Sequence, residues 1–193
     1  MPMRPHDGPT VTSRDRARPA MGRCALLASL FAGLALLSNA AVAEGIRAAV
    51  FDLDFVDTSQ EGASGKARED EAVRLAMVGD TLRRMLAERG ITIVDITPSR
   101  AKIEQAAPLT RCYGCDLDLA RELGADLAVT GFVQKVSNLI LNINVIIRDA
   151  RDGQALRGGS VDIRGNTDES WGRGISYLVR NRLFDPPLQL PAP

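Results

Sequence analysis

The pattern that most constrains the fold lies in the carboxyl-terminal third of the chain. Apolar side chains occupy every second position of Leu139–Arg148, which predicts a strand with one buried face. Asp152-Gly153 follows and supplies the positive φ angles that tight hairpin turns require. The segment Ala155–Arg164 then returns as the partner strand. This part of the chain therefore predicts an antiparallel sheet that needs a cover on one face only.

The remaining elements predict one mixed sheet. They are a strand Ile46–Leu53, a polar loop Asp57–Lys66, a helix Glu69–Arg89, a strand Ile91–Ile96, a helical stretch over 101–106, a helix Asp116–Leu123, a strand Leu127–Val136 and, after the hairpin, a helix from about Ser170 to Phe184. The order is β-α-β-α-α-β-β-β-α. Two early strands joined by a helix favour a parallel pair, and the later strands form an antiparallel meander. The predicted fold class is α+β, a single mixed β-sheet with helices packed on it.

The amino terminus has the organisation of a secretory signal peptide. An apolar run, Ala25–Leu37, follows Arg14, Arg16, Arg18 and Arg23, and Ala41-Val42-Ala43 supplies a cleavage site. The run is shorter than the ~20 apolar residues of a membrane-spanning helix. We expect a cleaved segment 1–43, a single domain 44–184 and a proline-rich extended tail 185–193, with Met1 or Met21 as the start. The predicted location is the periplasm.

Removal of the signal peptide changes the composition in ways that bear on function. Residues 1–43 hold five of the 24 basic and two of the 24 acidic residues, which leaves 19 and 22 and a net charge near −3. They also hold Cys24 and the only histidine, His6. Without histidine, Ser-His-Asp and Cys-His mechanisms are excluded, and the commonest transition-metal ligand is missing. The charge balance gives no general attraction to nucleic acid.

Two stretches resemble known exported proteins. The phrase Leu123-Gly124-Ala125-Asp126 before a strand, with the final hairpin and helix, resembles the amino-terminal domain of TolB, curli-secretion lipoproteins and activator lipoproteins of penicillin-binding proteins. More closely, KVSNLILNIN (135–144) and GSVDIRGNTDESW (159–171) resemble a family of exported proteobacterial proteins of unknown function. The resemblance implies an envelope domain without a known activity, and relatives beside genes of periplasmic quinoprotein oxidation systems.

The acidic motif after the first strand has two interpretations. Val50-Phe51-Asp52-Leu53-Asp54 resembles the first motif of haloacid-dehalogenase-type phosphatases, in which the first carboxylate attacks phosphorus and Mg²⁺ neutralises the phosphate. Phe55 stands where that family has glycine, and no later acidic pair or suitably placed lysine follows. We favour a buried strand followed by a solvated acidic loop, because a short motif without its context is weak.

Cys112-Tyr113-Gly114-Cys115 is the second candidate site. In an oxidising compartment we expect Cys112 and Cys115 to form a disulfide. The pair precedes a helix, whose dipole favours a thiolate and can make a CxxC pair redox-active. The alternative is a local staple, which stabilises by about 2 kcal/mol in the chain-entropy model. We favour the staple, because the pair follows two strands rather than the first one. A zinc site lacks the usual additional Cys or His ligands.

The third candidate is a row of amides on the predicted hairpin. Opposite its buried face, Leu139–Arg148 carries Ile140, Asn142, Asn144 and Ile146, and asparagine is depleted in strands. An ordinary solvated sheet face explains this row equally well. As a partner-binding surface, it would comprise Lys135, Asn138, Ile140, Asn142, Asn144 and Ile146, with Ser137 beside them.

The segment Arg164–Glu169 also has two interpretations. Asn166, Thr167 and Asp168 are capping side chains for the last helix. The same segment could offer charges to a partner, but capping suffices to explain it.

The sequence therefore predicts a non-catalytic, protein-binding accessory domain of the periplasm, serving a quinoprotein-type oxidation system or envelope assembly. No cofactor and no metal are predicted. The alternative is a thiol-disulfide exchange protein that uses the cysteine pair. The expected partner is a periplasmic or envelope protein, and a homodimer through an exposed edge strand is a further expectation.

Overall fold

The computed structural model describes residues 45–60, 62 and 67–188. Within them the chain forms six strands and four α-helices: β1 (Arg47–Val50), β2 (Asp54–Asp57), α1 (Glu69–Ala87), β3 (Thr92–Ile93), α2 (Arg100–Ala106), α3 (Cys115–Glu122), β4 (Leu127–Lys135), β5 (Ile140–Asp149), β6 (Ala155–Arg164) and α4 (Asp168–Leu178). Short 3₁₀ turns precede α2 and α3, and a π-helical turn, Val179–Leu183, extends α4. The predicted signal peptide, residues 1–43, lies outside the described residues.

All strands belong to one mixed sheet with the order β3-β1-β4-β5-β6, in which β2 also pairs with β4. β1 is parallel to both β3 and β4, whereas β4, β5 and β6 form an antiparallel meander. The α+β fold class, the early parallel pair and the late meander are confirmed. The mixed sheet follows from the connections. The long crossovers through α1 and through α2 and α3 return the chain parallel to β1, whereas short turns make β4, β5 and β6 antiparallel.

The first strand differs from the prediction. We expected one strand over Ile46–Leu53, but β1 ends at Val50 and the chain resumes as β2, which runs parallel to Phe132–Lys135 of β4. The acids that suggested a solvated loop have partners, because Asp54 accepts a hydrogen bond from the Thr110 amide at 3.1 Å. β2 thus prolongs the edge of β4 that β1 begins.

The second predicted strand, Ile91–Ile96, is also shorter than expected. β3 comprises only Thr92–Ile93, because the chain then turns into a 3₁₀ segment. The Asp95 carboxylate fixes this turn by accepting a hydrogen bond from the Thr97 amide at 2.9 Å. The pairing of β3 with β1 ends just before this turn.

The sheet separates two apolar cores. α1 and α4 pack on one face, where Val78, Leu82 and the predicted stripe of α4 are buried against β1, β4 and β5. That stripe consists of Trp171, Ile175, Leu178, Val179 and Leu183, all fully buried, as predicted. α2 and α3 pack on the opposite face, over β1 and the start of β4, around Phe51, Ile103 and Leu119. The packed domain continues to Leu188, because this tail residue is partly buried against the first core.

Candidate functional site

The candidate site is the face of the meander that no described helix covers, here called the open face. The register places alternate residues of β2, β4, β5 and β6 on it. Its members are Asp54, Val56, Phe132, Gln134, Ile140, Asn142, Asn144, Ile146, Gly158, Ser160, Asp162 and Arg164. Opposite them, Leu141, Ile143, Val145 and Ile147 are buried, so the predicted alternation of β5 is confirmed.

The two asparagines of β5 belong to a polar network across β5 and β6. The Asn142 amide nitrogen donates to Ser160 Oγ at 2.9 Å and to Asp162 Oδ1 at 2.7 Å. Ser160 Oγ donates to Asn142 Oδ1 at 3.1 Å, and the Asn144 amide nitrogen donates to the same oxygen. The network fixes the amide orientations, so this polar surface is preorganised for contact.

A groove of about 640 Å³ crosses the open face beside this network. Its lining combines apolar and polar side chains, among them Thr110, Thr130, Phe132, Asn144, Ile146, Arg148 and Ser160. Gly158 adds no side chain, and an added Cβ there would have nothing nearer than 3.8 Å. Gly158 thus leaves space in the groove beside Ile146 and Ser160 that a larger side chain would fill.

The β4–β5 turn adjoins the open face and displays apolar side chains. Leu139 is 72% exposed, and Val136 and Ile140 are also exposed. The turn is held by the chain that leads into α4, because the Gly165 amide donates to the Leu139 carbonyl at 3.1 Å and the Asn166 amide donates to the Asn138 carbonyl at 3.0 Å. Asn138 therefore lies at this turn, one strand end away from the amide network.

Lys135 does not belong to the open face, and its assignment to a partner-binding surface is wrong. It pairs with Leu141 in the register, on the covered side of the sheet, and is 1% exposed. Its Nζ lies 2.9 Å from Glu71 Oε1 and 3.5 Å from Asp57 Oδ2. The sheet alternation places residue 135 with the odd-numbered core positions of β5, which the sequence interpretation overlooked.

Lys135 is the centre of a buried polar cluster that joins four elements. Glu71 accepts hydrogen bonds from the Arg68 amide at 3.0 Å and from the Asn166 side chain at 2.7 Å. The Asn166 side-chain oxygen in turn accepts from Trp171 Nε1 at 2.9 Å. Asn166 thus links Glu71 to Trp171 by hydrogen bonds and does not cap α4. The predicted capping role falls to Thr167, whose Oγ1 accepts from the Ser170 amide.

The cluster favours the ionised form of both of its carboxylates. Burial raises the pKa of Glu71, but hydrogen bonds from Lys135, Arg68 and Asn166 and the charge of Lys135 outweigh this and hold the pKa below its ordinary value. Burial also raises the pKa of Asp57, and hydrogen bonds from Ser59 together with Lys135 hold that pKa below its ordinary value. The cluster therefore remains charged at neutral pH.

The cysteine pair lies at the start of α3. Cys112 and Cys115 are bonded, with their Cα atoms 5.6 Å apart, and both pack against the second core. Tyr113 and Gly114 adopt positive φ angles of 55° and 114°, and Tyr113 projects fully into solvent. The disulfide holds the 3₁₀ segment Leu109–Arg111 next to the start of α3, the helix that packs on the second core. A redox role of the pair stays a prediction.

The phosphatase-like acids are engaged in other contacts. Asp52 forms ion pairs with Arg83 and Arg100, and Asp54 accepts hydrogen bonds from Thr110. Among the described residues, no group of three or more His, Cys, Asp or Glu is placed to hold a metal ion. None of the helices within this part of the chain is long and apolar enough to cross a membrane.

Sequence reasoning missed part of this surface. Phe132, Ser160 and Asp162 share the open face with the asparagines, but their strands were not aligned with β5 in register. The alternation of β6 held the signal, because Gly158, Ser160, Asp162 and Arg164 form its polar set. The sequence also indicated an apolar turn at 136–140, because Val136 and Leu139 flank the turn-forming residues Ser137 and Asn138.

Fold and site together define a class: an α+β domain whose single mixed sheet is covered by helices on one face and only in part on the other. The chain belongs to the family described as "Protein of unknown function (DUF2380)", whose model matches residues 46–183. This match confirms the expected membership in a family of unknown function, whereas the likeness to TolB and curli-secretion lipoproteins stays a prediction. No curated protein matches the chain.

Several solved structures have a similar chain fold over part of their length. The LpoB C-terminal domain from Salmonella enterica is 18% identical, with a TM-score of 0.43 over 65% of this chain and 87% of that chain. Lipoprotein GNA1162 from Neisseria meningitidis is also 18% identical, with a TM-score of 0.43 over 63% and 82%. A PelC dodecamer from Paraburkholderia phytofirmans is 14% identical, with a TM-score of 0.41 over 72% and 88%. Similarity at this level carries no argument about function.

Proposed function

We propose that this protein is a non-catalytic, protein-binding accessory domain of the periplasm and that its partner binds the open face. The observation that carries the proposal is the uneven cover of the sheet. α1 and α4 cover one face, whereas α2 and α3 cover the other face only over β1 and the start of β4. A face that combines a groove, fixed amides and apolar side chains has the composition of a protein interface.

The open face offers both affinity and orientation to such a partner. Ile140, Ile146 and Phe132 supply apolar area, and the network around Asn142 supplies donors and acceptors whose geometry is already set. Preorganised side chains lose little conformational entropy on binding. The adjoining turn with Leu139 extends this area beyond the strands.

The partner is a periplasmic or envelope protein, and the system served is quinoprotein-type oxidation or envelope assembly. Support comes from the exported-protein resemblance of the segments 135–144 and 159–171 and from the signal-peptide pattern of residues 1–43. The net charge near −3 after residue 43 gives no general attraction to nucleic acid.

The test compares two charge insertions at exposed apolar sites. Ile140→Asp introduces a carboxylate on the open face, and Val73→Asp introduces one on α1, away from it. Tagged wild-type and variant proteins capture partners from a periplasmic extract, and binding of the purified partner is then measured by calorimetry. We expect Ile140→Asp and Asn142→Ala/Asn144→Ala to weaken binding at least about tenfold, or about 1.4 kcal/mol. Binding that tolerates these changes and fails with Val73→Asp would contradict the open-face site.

One observation favours thiol-disulfide exchange as the second candidate. Cys115 is the first residue of α3, where the helix dipole stabilises a thiolate. Protein carrying Cys112→Ser would then trap mixed disulfides through Cys115, visible as adducts that disappear with reductant. A partner captured equally with and without reductant would contradict exchange and leave the accessory function.

A further inference from the structure

The antiparallel end of the sheet has an unpaired edge. β6 is ten residues long and hydrogen-bonds only to β5 among the described strands. A strand edge of this kind presents backbone N–H and C=O groups that another strand can pair with. β6 is thus an exposed edge strand of the kind through which a homodimer was expected from the sequence.

The register shows which residues of β6 present these groups. The Gly165 amide donates to the Leu139 carbonyl on β5's side, so the odd-numbered residues at this end of β6 point their backbone groups inward. Ser160, Asp162 and Arg164 therefore point theirs outward. The Arg164 carbonyl accepts a hydrogen bond from Ser170 Oγ at 2.8 Å, which agrees with this assignment and leaves its second lone pair.

The same residues carry opposite charges on one face of the strand. Asp162 and Arg164 are two positions apart, so both side chains lie on the open face at its outer border. Asp162 accepts from Asn142, whereas the Arg164 guanidinium makes no ion pair within residues 45–60, 62 and 67–188. An acid and a base in this arrangement are complementary to a second copy of themselves.

We propose that a second copy of this chain pairs with β6 in antiparallel orientation, about a twofold axis at Ile163. In that register Asp162 of each copy lies directly opposite Arg164 of the other. Both are outward-pointing residues, so each such pair forms two backbone hydrogen bonds in addition to the ion pair. The two sheets become one, with both open faces on the same side.

The remainder of β6 agrees with pairing at this end. Near its start, the Arg157 guanidinium donates to the carbonyl oxygens of Pro186 and Pro187 in the tail, at 3.2 and 3.3 Å. The carboxyl-terminal half of the strand has no such contact with the tail among the described residues. The groove lies inward of the edge, so the dimer contact leaves the groove accessible, while Asp162 and Arg164 border both surfaces.

Charge reversal and charge exchange test the proposal. The oligomeric state of the exported chain is measured by sedimentation velocity over a series of concentrations. We expect a dimer that Asp162→Arg or Arg164→Asp alone weakens about tenfold or more, because each creates two like-charge pairs. The exchange variant Asp162→Arg/Arg164→Asp should recover dimerisation, since it restores both pairs in reverse order. High salt should weaken the wild-type dimer.

Two controls keep the test decisive. Arg173→Asp changes an exposed charge on α4 by the same amount and should leave the dimer unchanged. Fluorescence of the single tryptophan, Trp171, shows whether each variant is folded, and Arg164→Asp disturbs no described ion pair. A wild-type chain that stays monomeric at every concentration overturns the proposal, as does an exchange variant no better than the folded single variants.

Discussion

The two halves of the sheet differ in how they are covered. In the parallel half, formed by β3, β1 and the start of β4, the consecutive residues Ala48 and Ala49 are both fully buried, one against each core. In the antiparallel half, formed by the rest of β4 with β5 and β6, Ile143 is fully buried and its neighbours Asn142 and Asn144 are only half-buried. Cover on both faces selects continuous apolar segments, and cover on one face selects alternation.

The connections explain this difference. The chain between β3 and β4 contains α2 and α3, and these helices pack over β1 and the start of β4. β4, β5 and β6 are joined by short turns that contain no helix. Among the described residues after β6, the helical elements are α4 and the π-helical turn that extends it, and α4 packs beside α1 on the already covered face. The open face therefore follows from the order of elements.

The largest expected effect concerns the covered side of the antiparallel half. Lys135→Met leaves Glu71 and Asp57 buried without their cation, which should cost about 3–5 kcal/mol of unfolding free energy. The measurement is urea unfolding followed by Trp171 fluorescence. The matched control is Gln134→Met, one residue earlier on the open face, which should change stability by at most about 0.5 kcal/mol. Equal effects of the two substitutions would contradict the difference between the faces.

The same variant should change the pH dependence of stability. The folded pKa values of Glu71 and Asp57 lie below their ordinary values, so their contribution is present above about pH 4 and is lost as the pH falls through the folded values. Without Lys135, burial would favour the protonated form of both carboxyls. The difference in unfolding free energy between wild type and Lys135→Met should therefore shrink in acid. A constant difference from about pH 7 to about pH 3, a range in which ordinary carboxyls titrate, would contradict the charged cluster.

A second comparison uses two isoleucines on opposite faces of β5. Ile143→Ala removes a fully buried side chain and should cost about 2–4 kcal/mol, whereas Ile146→Ala on the open face should cost less than about 1 kcal/mol. Both are measured by urea unfolding. A large cost at Ile146 would show that the face is covered in solution.

A third comparison moves along one face of β4. Ala128 lies beneath α3 and is fully buried, so Ala128→Leu should cost about 1–3 kcal/mol through overpacking. Gln134→Leu lies on the same face, beyond the helices, and should change stability by at most about 0.5 kcal/mol. Thermal unfolding of both variants would show where along β4 the helices stop covering this face. Equal losses of unfolding free energy would contradict such a limit.

A last comparison concerns the disulfide at the start of α3. Its loss should cost about 2 kcal/mol, because the closed loop is short. Cys112→Ala/Cys115→Ala should therefore unfold at lower urea concentration and still bind the open-face partner with unchanged affinity. Loss of binding in the folded variant would assign the turn to the interface.

Sequence patterns predicted most of the fold, for identifiable reasons. The alternation of β5 and the stripe of α4 are local signals, and both are confirmed. The Asp-Gly turn is confirmed in its position, but only Gly153 has the expected positive φ, at 77°. β2 was missed because Asp54 and Asp57 resemble loop residues until their partners Thr110 and Lys135, far along the chain, are known. Pairing between distant segments leaves no local pattern.

The candidate site was predictable only in part. The row Ile140, Asn142, Asn144 and Ile146 lies on one face, as alternation requires. Lys135 was assigned to the same surface because it is charged and near in sequence, yet the β4–β5 register turns it into the core. The burial of a lysine can be inferred only from the acids that pair with it. Glu71 lies on α1, far from Lys135 in the sequence, so no local pattern indicates this pair.

The connection between β1 and β4 has a consequence for the order in which the chain folds. Ala48 pairs with Leu127, and Arg47 reaches Asp126 across 79 positions, whereas β5 and β6 meet through a short turn. Local hairpins form quickly, and pairing across long loops is slow. During synthesis the apolar β1 emerges long before its partner strand exists. The part of the sheet that is most deeply enclosed in the folded protein is thus the part whose strands are expected to pair last.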